Sequence, residues 1–380
     1  MSKIIVLGAG MVGSAMAIDL SKNHEVTVSD MSTEALHRLK SKSNNAIDTI
    51  AMDVTDKSAL SSTIAPFDLV VCAVPGFLGF NTLKTIIESD KNVIDISFFP
   101  ENSLELDTLA KEHNVTAIVD CGVAPGMDNI ILGYYNEKLK LTDFECLVGG
   151  LPKVKKMPFC YKAPFSPIDV IEEYTRPARY VENGHEVIKP AMSDVEHVQF
   201  EEVGTLESFN SDGLRSIIHT MSHIPNMKEK TLRHPGHIDK ILTLRDAGFF
   251  ETEKIAINGT EISPLDFTSK ILFKEWKLGE TEDEFTIMRI SVAGTNQKGE
   301  KKKIIYTLYD EYDPETQTSS MARSTGYTAT AAANLFLEGL FVEKGVFPPE
   351  LVGKHEACFN YFLQYLQERN VVYKKEEVNL

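Results

Sequence analysis

The chain opens on an apolar, β-branched run, Lys3-Ile4-Ile5-Val6-Leu7, and then changes period. Apolar residues recur at Met11, Ala15, Met16, Ile18 and Leu20, the spacing of one helix face. The same exchange repeats through the first third. It predicts strands at 3–7, 25–29, 46–52, 68–74, 92–97 and 115–120, and helices near 11–22, 33–42, 56–64, 80–89 and 103–113. Repeated strand–helix units with short connections build a parallel sheet with right-handed crossovers, and ligands gather beyond the carboxyl ends of its strands.

Beyond residue 122 the pattern shifts. A helix is predicted over about 127–139 and a strand at Glu145–Gly149, after which Pro152, Pro158, Pro164 and Pro167 punctuate the chain. Later strands at 197–203, 205–209, 284–292 and 302–310 read as antiparallel, among helices at 167–174, 213–222, 236–247 and 263–274. Thr325–Gly345 returns to an alanine-rich helix, Phe347-Pro348-Pro349 breaks it, and a last helix runs to about Arg369. The expected fold is α/β: a parallel, doubly wound domain over 1–122 and an α+β domain over 123–321, with helices from about 322–380 packing back on the first. The open sheet of the second domain is expected to serve dimerisation, so the chain reads as a homodimer.

The turn after the first strand is Gly8-Ala9-Gly10-Met11-Val12-Gly13, a G-x-G-x-x-G between strand and helix. Gly8 permits the sharp turn, Gly10 lets a pyrophosphate approach the backbone, and Gly13 lets the helix pack on the strand. The helix N-terminus offers free N–H groups and a positive dipole end to the phosphates. Asp30 closes the second strand, where a carboxylate accepts from a ribose 2′-OH and repels a 2′-phosphate; no Arg or Lys follows in Met31-Ser32-Thr33. The expected cofactor is NAD, the segment being a Rossmann dinucleotide site. The remaining strand ends place Asp53, Val54, Ala73, Val74, Pro75, Ser97 and Gly122 around it, with Pro75-Gly76 at the nicotinamide half.

A balance of 39 basic to 55 acidic residues gives a net charge of −16, which opposes binding to nucleic acid or an anionic membrane. No apolar run is long enough to span a bilayer and no signal sequence is evident, so a cytoplasmic location is expected. Five cysteines without a C-x-x-C pair read as free thiols, with Cys121 the one candidate for a reactive thiol.

Four further segments are recognisable: Gly122-Val123-Ala124-Pro125-Gly126-Met127, Val148-Gly149-Gly150-Leu151-Pro152, Met321-Ala322-Arg323-Ser324-Thr325 and Gly345-Val346-Phe347-Pro348-Pro349-Glu350. Together and in this order they resemble the L-lysine 6-dehydrogenase group of the saccharopine dehydrogenase family, nearly end to end. The resemblance implies a Rossmann domain, a substrate and dimer domain, and NAD-linked oxidation of an amine carbon of a small amino-acid substrate. Tyr161–Pro167, Asp212-Gly213-Leu214-Arg215-Ser216 and Thr231-Leu232-Arg233 resemble the glutamate-forming saccharopine dehydrogenases instead. That branch carries an aspartate before the Pro-Gly where this chain has Ala124, which favours the lysine 6-dehydrogenase branch.

Removing hydride from an amine-bearing carbon requires a neutral nitrogen, and hence a base beside the nicotinamide. Asp120, at a strand's carboxyl end, and Lys162 are the candidates for this catalytic role, against a helix cap and a solvated lysine respectively. By the resemblance Arg215 and Arg233 hold the substrate carboxylate. Ser97, at a strand's carboxyl end, is placed for its hydroxyl to orient substrate or cofactor, and Arg323, at the mouth of the alanine-rich helix, is a further candidate. No metal is expected. A zinc hydrolase built on His219, His223, His234 and His237 is the rival class, although no acidic base sits between the paired histidines. A non-catalytic NAD-binding protein is a third class.

Overall fold

The computed structural model describes residues 1–279 and 281–380, the side chains of Pro167 and Ile168 excepted. Six strands and five helices alternate at the start. The strands are β1 (Lys3–Leu7), β2 (Glu25–Asp30), β3 (Asp48–Ala51), β4 (Leu69–Cys72), β5 (Val93–Asp95) and β6 (Thr116–Ile118). The helices are α1 (Met11–Leu20), α2 (Thr33–Lys42), α3 (Lys57–Ile64), α4 (Gly76–Glu88) and α5 (Asp107–Glu112). The strands lie parallel in the order β6-β5-β4-β1-β2-β3. In β1, Ile4 and Val6 enter one core and Ile5 and Leu7 the other, all fully buried. A parallel strand covered on both faces needs such a continuous apolar run rather than an alternating one.

The chain then crosses, through α6 (Met127–Asn136), to the 14-residue β7 (Leu139–Pro152) of a second sheet. There follow α7 (Pro167–Thr175), the hairpin β8 (Ala178–Glu182) and β9 (His185–Lys189), β10 (Glu196–Phe200), β11 (Gly204–Asn210), the short α8 (Ile217–Thr220) and β12 (Asn226–Arg233). Next come α9 (His237–Asp246), the hairpin β13 (Ile255–Ile257) and β14 (Thr260–Ile262), α10 (Pro264–Trp276), β15 (Glu284–Asn296) and β16 (Lys301–Glu311). The sheet has nine strands. Its main path runs β10-β11-β12-β7-β15-β16 and on to a last strand from the C-terminus, with β8 and β9 hung on β12.

Besides the hairpins β8–β9 and β13–β14, which lie where no element was expected, three features depart from the sequence reading. The strand β12 lies where no element was expected, and it pairs parallel with β7, Glu229 opposite Cys146, so the sheet is mixed rather than antiparallel. The helix expected over 213–222 shrinks to α8, because Arg215 takes a left-handed φ of 45° that a helix cannot contain. The C-terminal region is more than helices. After α11 (Ser320–Leu337) comes β17 (Gly345–Phe347), which joins the first sheet beside β6. Then α12 (Pro349–Gly353), α13 (Glu356–Gln367) and β18 (Tyr373–Asn379) follow, and β18 pairs with β16 in the second sheet.

Helix α11 packs along α1 with Ala329, Ala331, Ala332 and Ala333 fully buried. Asp19 of α1 fixes the contact: its carboxylate accepts from Thr330 Oγ1 at 2.7 Å, Tyr365 OH at 2.8 Å and Arg369 Nε at 2.8 Å. Burial alone would raise the Asp19 pKa, but Arg369 and the two hydroxyls hold it below the usual carboxylate range. Among the described residues no helix is long and apolar enough to cross a membrane.

Candidate active site

A cavity of about 660 Å³ lies between the carboxyl ends of the first sheet and the second sheet. On the first side it is floored by the glycine turn. Gly8 has a φ of 111°, and a Cβ there would lie 2.5 Å from the Ala73 carbonyl, so only glycine makes this turn. A Cβ on Gly10 would meet nothing within 4 Å, because Gly10 faces open space at the uncapped N-terminus of α1. Free N–H groups, a dipole end and an open approach are what a pyrophosphate needs, so the residues present fit a dinucleotide.

Gly8, Gly10, Met11, Val12, Gly13, Asp30, Asp53, Val54, Ala73, Val74, Pro75 and Gly122 all line this cavity. Asp30 also braces the turn. Its Oδ2 accepts from Ala9 N and its Oδ1 from Ser32 N, both at 2.7 Å, which ties the turn to the end of β2. Arg38 of α2, five residues beyond Thr33, also lines the cavity and pairs with Glu34 at 2.6 Å. Ser97 does not line it. It is buried beyond the end of β5, with its N–H on Asp95 Oδ1 and its hydroxyl near Cys72.

The second side of the cavity is rich in charge. Asp120 lines it, but Arg215 does not. The two form a buried ion pair, Arg215 Nε and Nη2 lying 2.9 and 2.8 Å from Asp120 Oδ1, while Nη1 donates to Phe99 O at 2.5 Å. The expected base and the expected clamp therefore occupy each other. Both sit at positive φ, 52° and 45°, conformations that cost about 1 kcal/mol or more each and persist where the surroundings impose them. Arg233 does reach the cavity wall. Its Nε donates to Tyr174 OH at 2.9 Å, its Nη2 pairs with Glu173, and its guanidinium lies 4.4 Å from the Tyr161 ring. Lys162 lies away from the cavity and donates to Glu275 O at 2.6 Å, so it is not placed to move a substrate proton. Arg323 is a structural residue, bonded to Asp310, Asp313 and the Arg369 carbonyl.

Five side chains on this wall escaped the sequence reading, Asp169, Glu172, Glu173, Arg176 and Glu229, and Asp212 figured in that reading only as part of a motif, with no role given. Arg176 pairs with Glu172 one helical turn earlier and lies 5.4 Å from the Phe98 ring. Asp212 receives Arg179 in a two-point fork at 2.9 and 3.0 Å. Asp169 and Glu229 are in no ion pair among the described residues. Burial pushes the Asp169 carboxyl up, against hydrogen bonds from the Ser166 hydroxyl and from Gly76 N–H at the start of α4. Burial, and then the neighbouring Asp128, push Glu229 up further.

Three of the four histidines are engaged with protein groups, and His219 is exposed on α8. His234 Nε2 lies 2.9 Å from Pro152 O; His237 lies 2.9 Å from Phe159 O and 3.0 Å from Tyr174 OH; His223 lies 2.7 Å from Asn136 Oδ1. Burial pushes His237 down to about 3, so it is neutral at physiological pH. Cys121 is fully buried beside Thr328 O, and burial raises its thiol pKa, the reverse of what a reactive thiolate requires.

Comparison with known proteins adds to this geometry. Residues 4–118 match the saccharopine dehydrogenase NADP binding domain, and residues 122–372 the saccharopine dehydrogenase C-terminal domain. The mitochondrial alpha-aminoadipic semialdehyde synthase of Mus musculus is 23% identical over 91% of this chain and 45% of its own. The chain thus spans about half the length of that relative. The L-glutamate-forming, NADP(+) saccharopine dehydrogenase of Pyricularia oryzae is 25% identical over 80% of this chain and 70% of its own. Carboxyaminopropylagmatine dehydrogenase of Synechocystis is 20% identical over 92% of both. Among solved structures, apo saccharopine dehydrogenase (L-Glu forming) from Saccharomyces cerevisiae superposes with a TM-score of 0.79 at 19% identity over all of both chains, which establishes a shared fold.

Proposed function

The chain belongs to the saccharopine dehydrogenase family, and from that premise we propose that it oxidises a C–N bond of a lysine-type amino acid, most simply the ε-amine of L-lysine. The observation that carries this reading is the charge balance of the second wall. Both guanidinium groups that line it, Arg176 and Arg233, already hold a glutamate, whereas Asp169 and Glu229 lack an ion-pair partner among the described residues. Such a wall suits a substrate with two amines and one carboxylate better than one with three carboxylates. Of the two, Arg176 has the more exposed pairing, its side chain 19% exposed and that of Glu172 37%, and it is the guanidinium that exchanges its glutamate for the single carboxylate.

When bound, a nicotinamide would supply the hydride acceptor. The glycine turn and α1 would hold its pyrophosphate, and Asp30 would receive the adenosine ribose. The surrounding carboxyls draw in the ammonium, the apolar Phe98, Phe165 and Val148 strip its water, and one carboxyl takes its proton. Hydrolysis of the resulting imine releases ammonia. NAD is preferred over NADP on the strength of Asp30, and the open outer edges at β10 and β18 support assembly as a homodimer through the second sheet.

A second reading, glutamate-forming saccharopine dehydrogenase, draws support from Arg233 in the cavity wall and from the name of the Pyricularia relative. Reduction of NAD with L-lysine, saccharopine and a carboxylated polyamine separates the two. Ammonia released one-for-one with NADH from lysine supports the first reading. Glutamate released from saccharopine, with no reaction of lysine, overturns it in favour of the second. NAD binding without turnover of any amine overturns both.

A further inference from the structure

Behind the acidic wall lies a buried group that neither the glycine turn nor the arginines account for. Asp128 opens α6, Cys146 lies in β7 and Glu229 in β12, and their donor atoms lie within 4.8 Å of one another. Asp128 and Cys146 are fully buried and Glu229 is 5% exposed. Asp128 spends one oxygen on Gly126 N–H at 2.9 Å. Its other oxygen, Oε2 of Glu229 and the hydroxyl of Tyr373 are buried with no hydrogen-bond partner. Of the three grouped residues, Glu229 alone reaches the cavity. Gly213 packs so closely that a Cβ there would overlap the Glu229 carboxyl, which fixes the side chain against the wall.

Two carboxyls this close and this dry do not both ionise. We propose that Glu229 is the group that accepts the substrate's ammonium proton, and that Asp128 is its positioning partner, the pair holding one proton in the resting enzyme and two after the transfer. This rests on the amine-oxidising reading above. In the step, an N–H bond of the ammonium breaks, its electron pair stays on nitrogen as the lone pair, and an O–H bond forms on the free oxygen of Glu229. The nitrogen is then neutral, as loss of hydride from its carbon demands. Hydrolysis of the iminium by water then releases ammonium, and the proton held by Glu229 leaves to solvent as the one net proton of the reaction.

The groups facing Glu229 agree with this role. Asp128 from α6, Glu173 from α7 and Asp212 from the segment after β11 are acidic, Cys146 is a neutral neighbour, and Arg215 is the one cation among them. Tyr180 of β8 donates to the Glu229 backbone carbonyl rather than to its carboxyl. Burial pushes Asp128 up to about 7 and Glu229 in the same direction. A carboxyl raised toward the working pH is a far better proton acceptor than an ordinary one.

The test uses Glu229→Gln and Asp128→Asn in the full chain, with the amine that the unaltered protein turns over. Glu229→Gln should lower kcat at least about a hundredfold, flatten the acid limb of the pH profile, and leave the Kd for NADH unchanged. Asp128→Asn should move the acid limb to lower pH, because Glu229 then loses its negative neighbour. Independently of turnover, the infrared band of a buried protonated carboxyl at pH 7 should weaken in both variants. Retention of more than a tenth of kcat by Glu229→Gln with an unchanged profile overturns the assignment of Glu229. An unmoved acid limb and band in Asp128→Asn overturn the pairing, and do so even where Glu229→Gln fails to fold. Absence of turnover by the unaltered protein with every amine counts against the functional reading itself.

Discussion

The two sides of the cleft are built from different materials. The dinucleotide side presents backbone: a glycine turn, the start of α1 and the blunt ends of parallel strands, with Asp30 spending its oxygens on peptide N–H groups. The second side presents charges on long side chains, nearly all of them paired: Asp120 with Arg215, Glu172 with Arg176, Glu173 with Arg233, Asp212 with Arg179. Backbone positions a ligand common to many enzymes and leaves little to vary. Paired charges hold the wall together and choose the substrate, so the same residues carry stability and specificity.

That contrast breaks first at Asp120–Arg215. Arg215→Ala should cost about 3–5 kcal/mol of unfolding free energy, because it strands a carboxylate in a dry site, and urea unfolding measures it. Little or no loss would mean that the second wall is not held by its ion pairs. The reverse exception lies on the dinucleotide side. Asp95 is buried with one oxygen unpaired, and burial pushes it up to about 7. Its folded pKa stands above the unfolded value, so its contribution is intact below about pH 4 and is lost as pH rises through 7. Asp95→Asn should therefore stabilise increasingly across that window, by on the order of 2–4 kcal/mol at pH 8, and a gain independent of pH would refute the assignment.

The remaining three expectations separate ligand from scaffold. Arg176→Ala should lower kcat/KM by about thirty- to a hundredfold with an amino-acid substrate while NADH binds normally. Equal losses for a diamine lacking the carboxylate would remove its role as clamp. Gly10→Val should weaken NADH binding at least about tenfold with little change in Tm, since the added side chain meets only open space in the free protein. A large drop in Tm would show that this glycine serves the fold instead. Smallest of all, Asp30→Ala should erode a roughly tenfold preference for NAD over NADP, as judged from kcat/KM with each cofactor. Native protein that uses both equally would transfer the decision to Arg38.

What could be read in advance follows the same divide. The glycine turn, Asp30 and the strand ends are local signals, fixed by sterics within a few residues, and all but Ser97 of the expected cofactor residues line the cavity. The second wall is non-local. Asp120 and Arg215 stand 95 positions apart, and nothing in either segment announces the pairing. Strand β12 reads Asn-Met-Lys-Glu-Lys-Thr-Leu-Arg, which has no apolar alternation to betray it, because charged Glu229, Lys230 and Arg233 are buried in it beside Met227 and Leu232. Glu229 was hidden by that composition, and Arg176 by its place at the end of α7. Lys162 looked suitable by type, and only the direction of its side chain removes it.

The path of the chain has its own consequence. It passes between the sheets three times: through α6, through α11, and finally from α13 into β18, which becomes the outer strand of the second sheet. A cleft spanned by one strand opens like a door on a pin. Here three struts cross, one of them bolted to α1 through Asp19, so opening must be shared as small slides along packed helices. Neither half can be cut out as a continuous length of chain, and the two should melt as one.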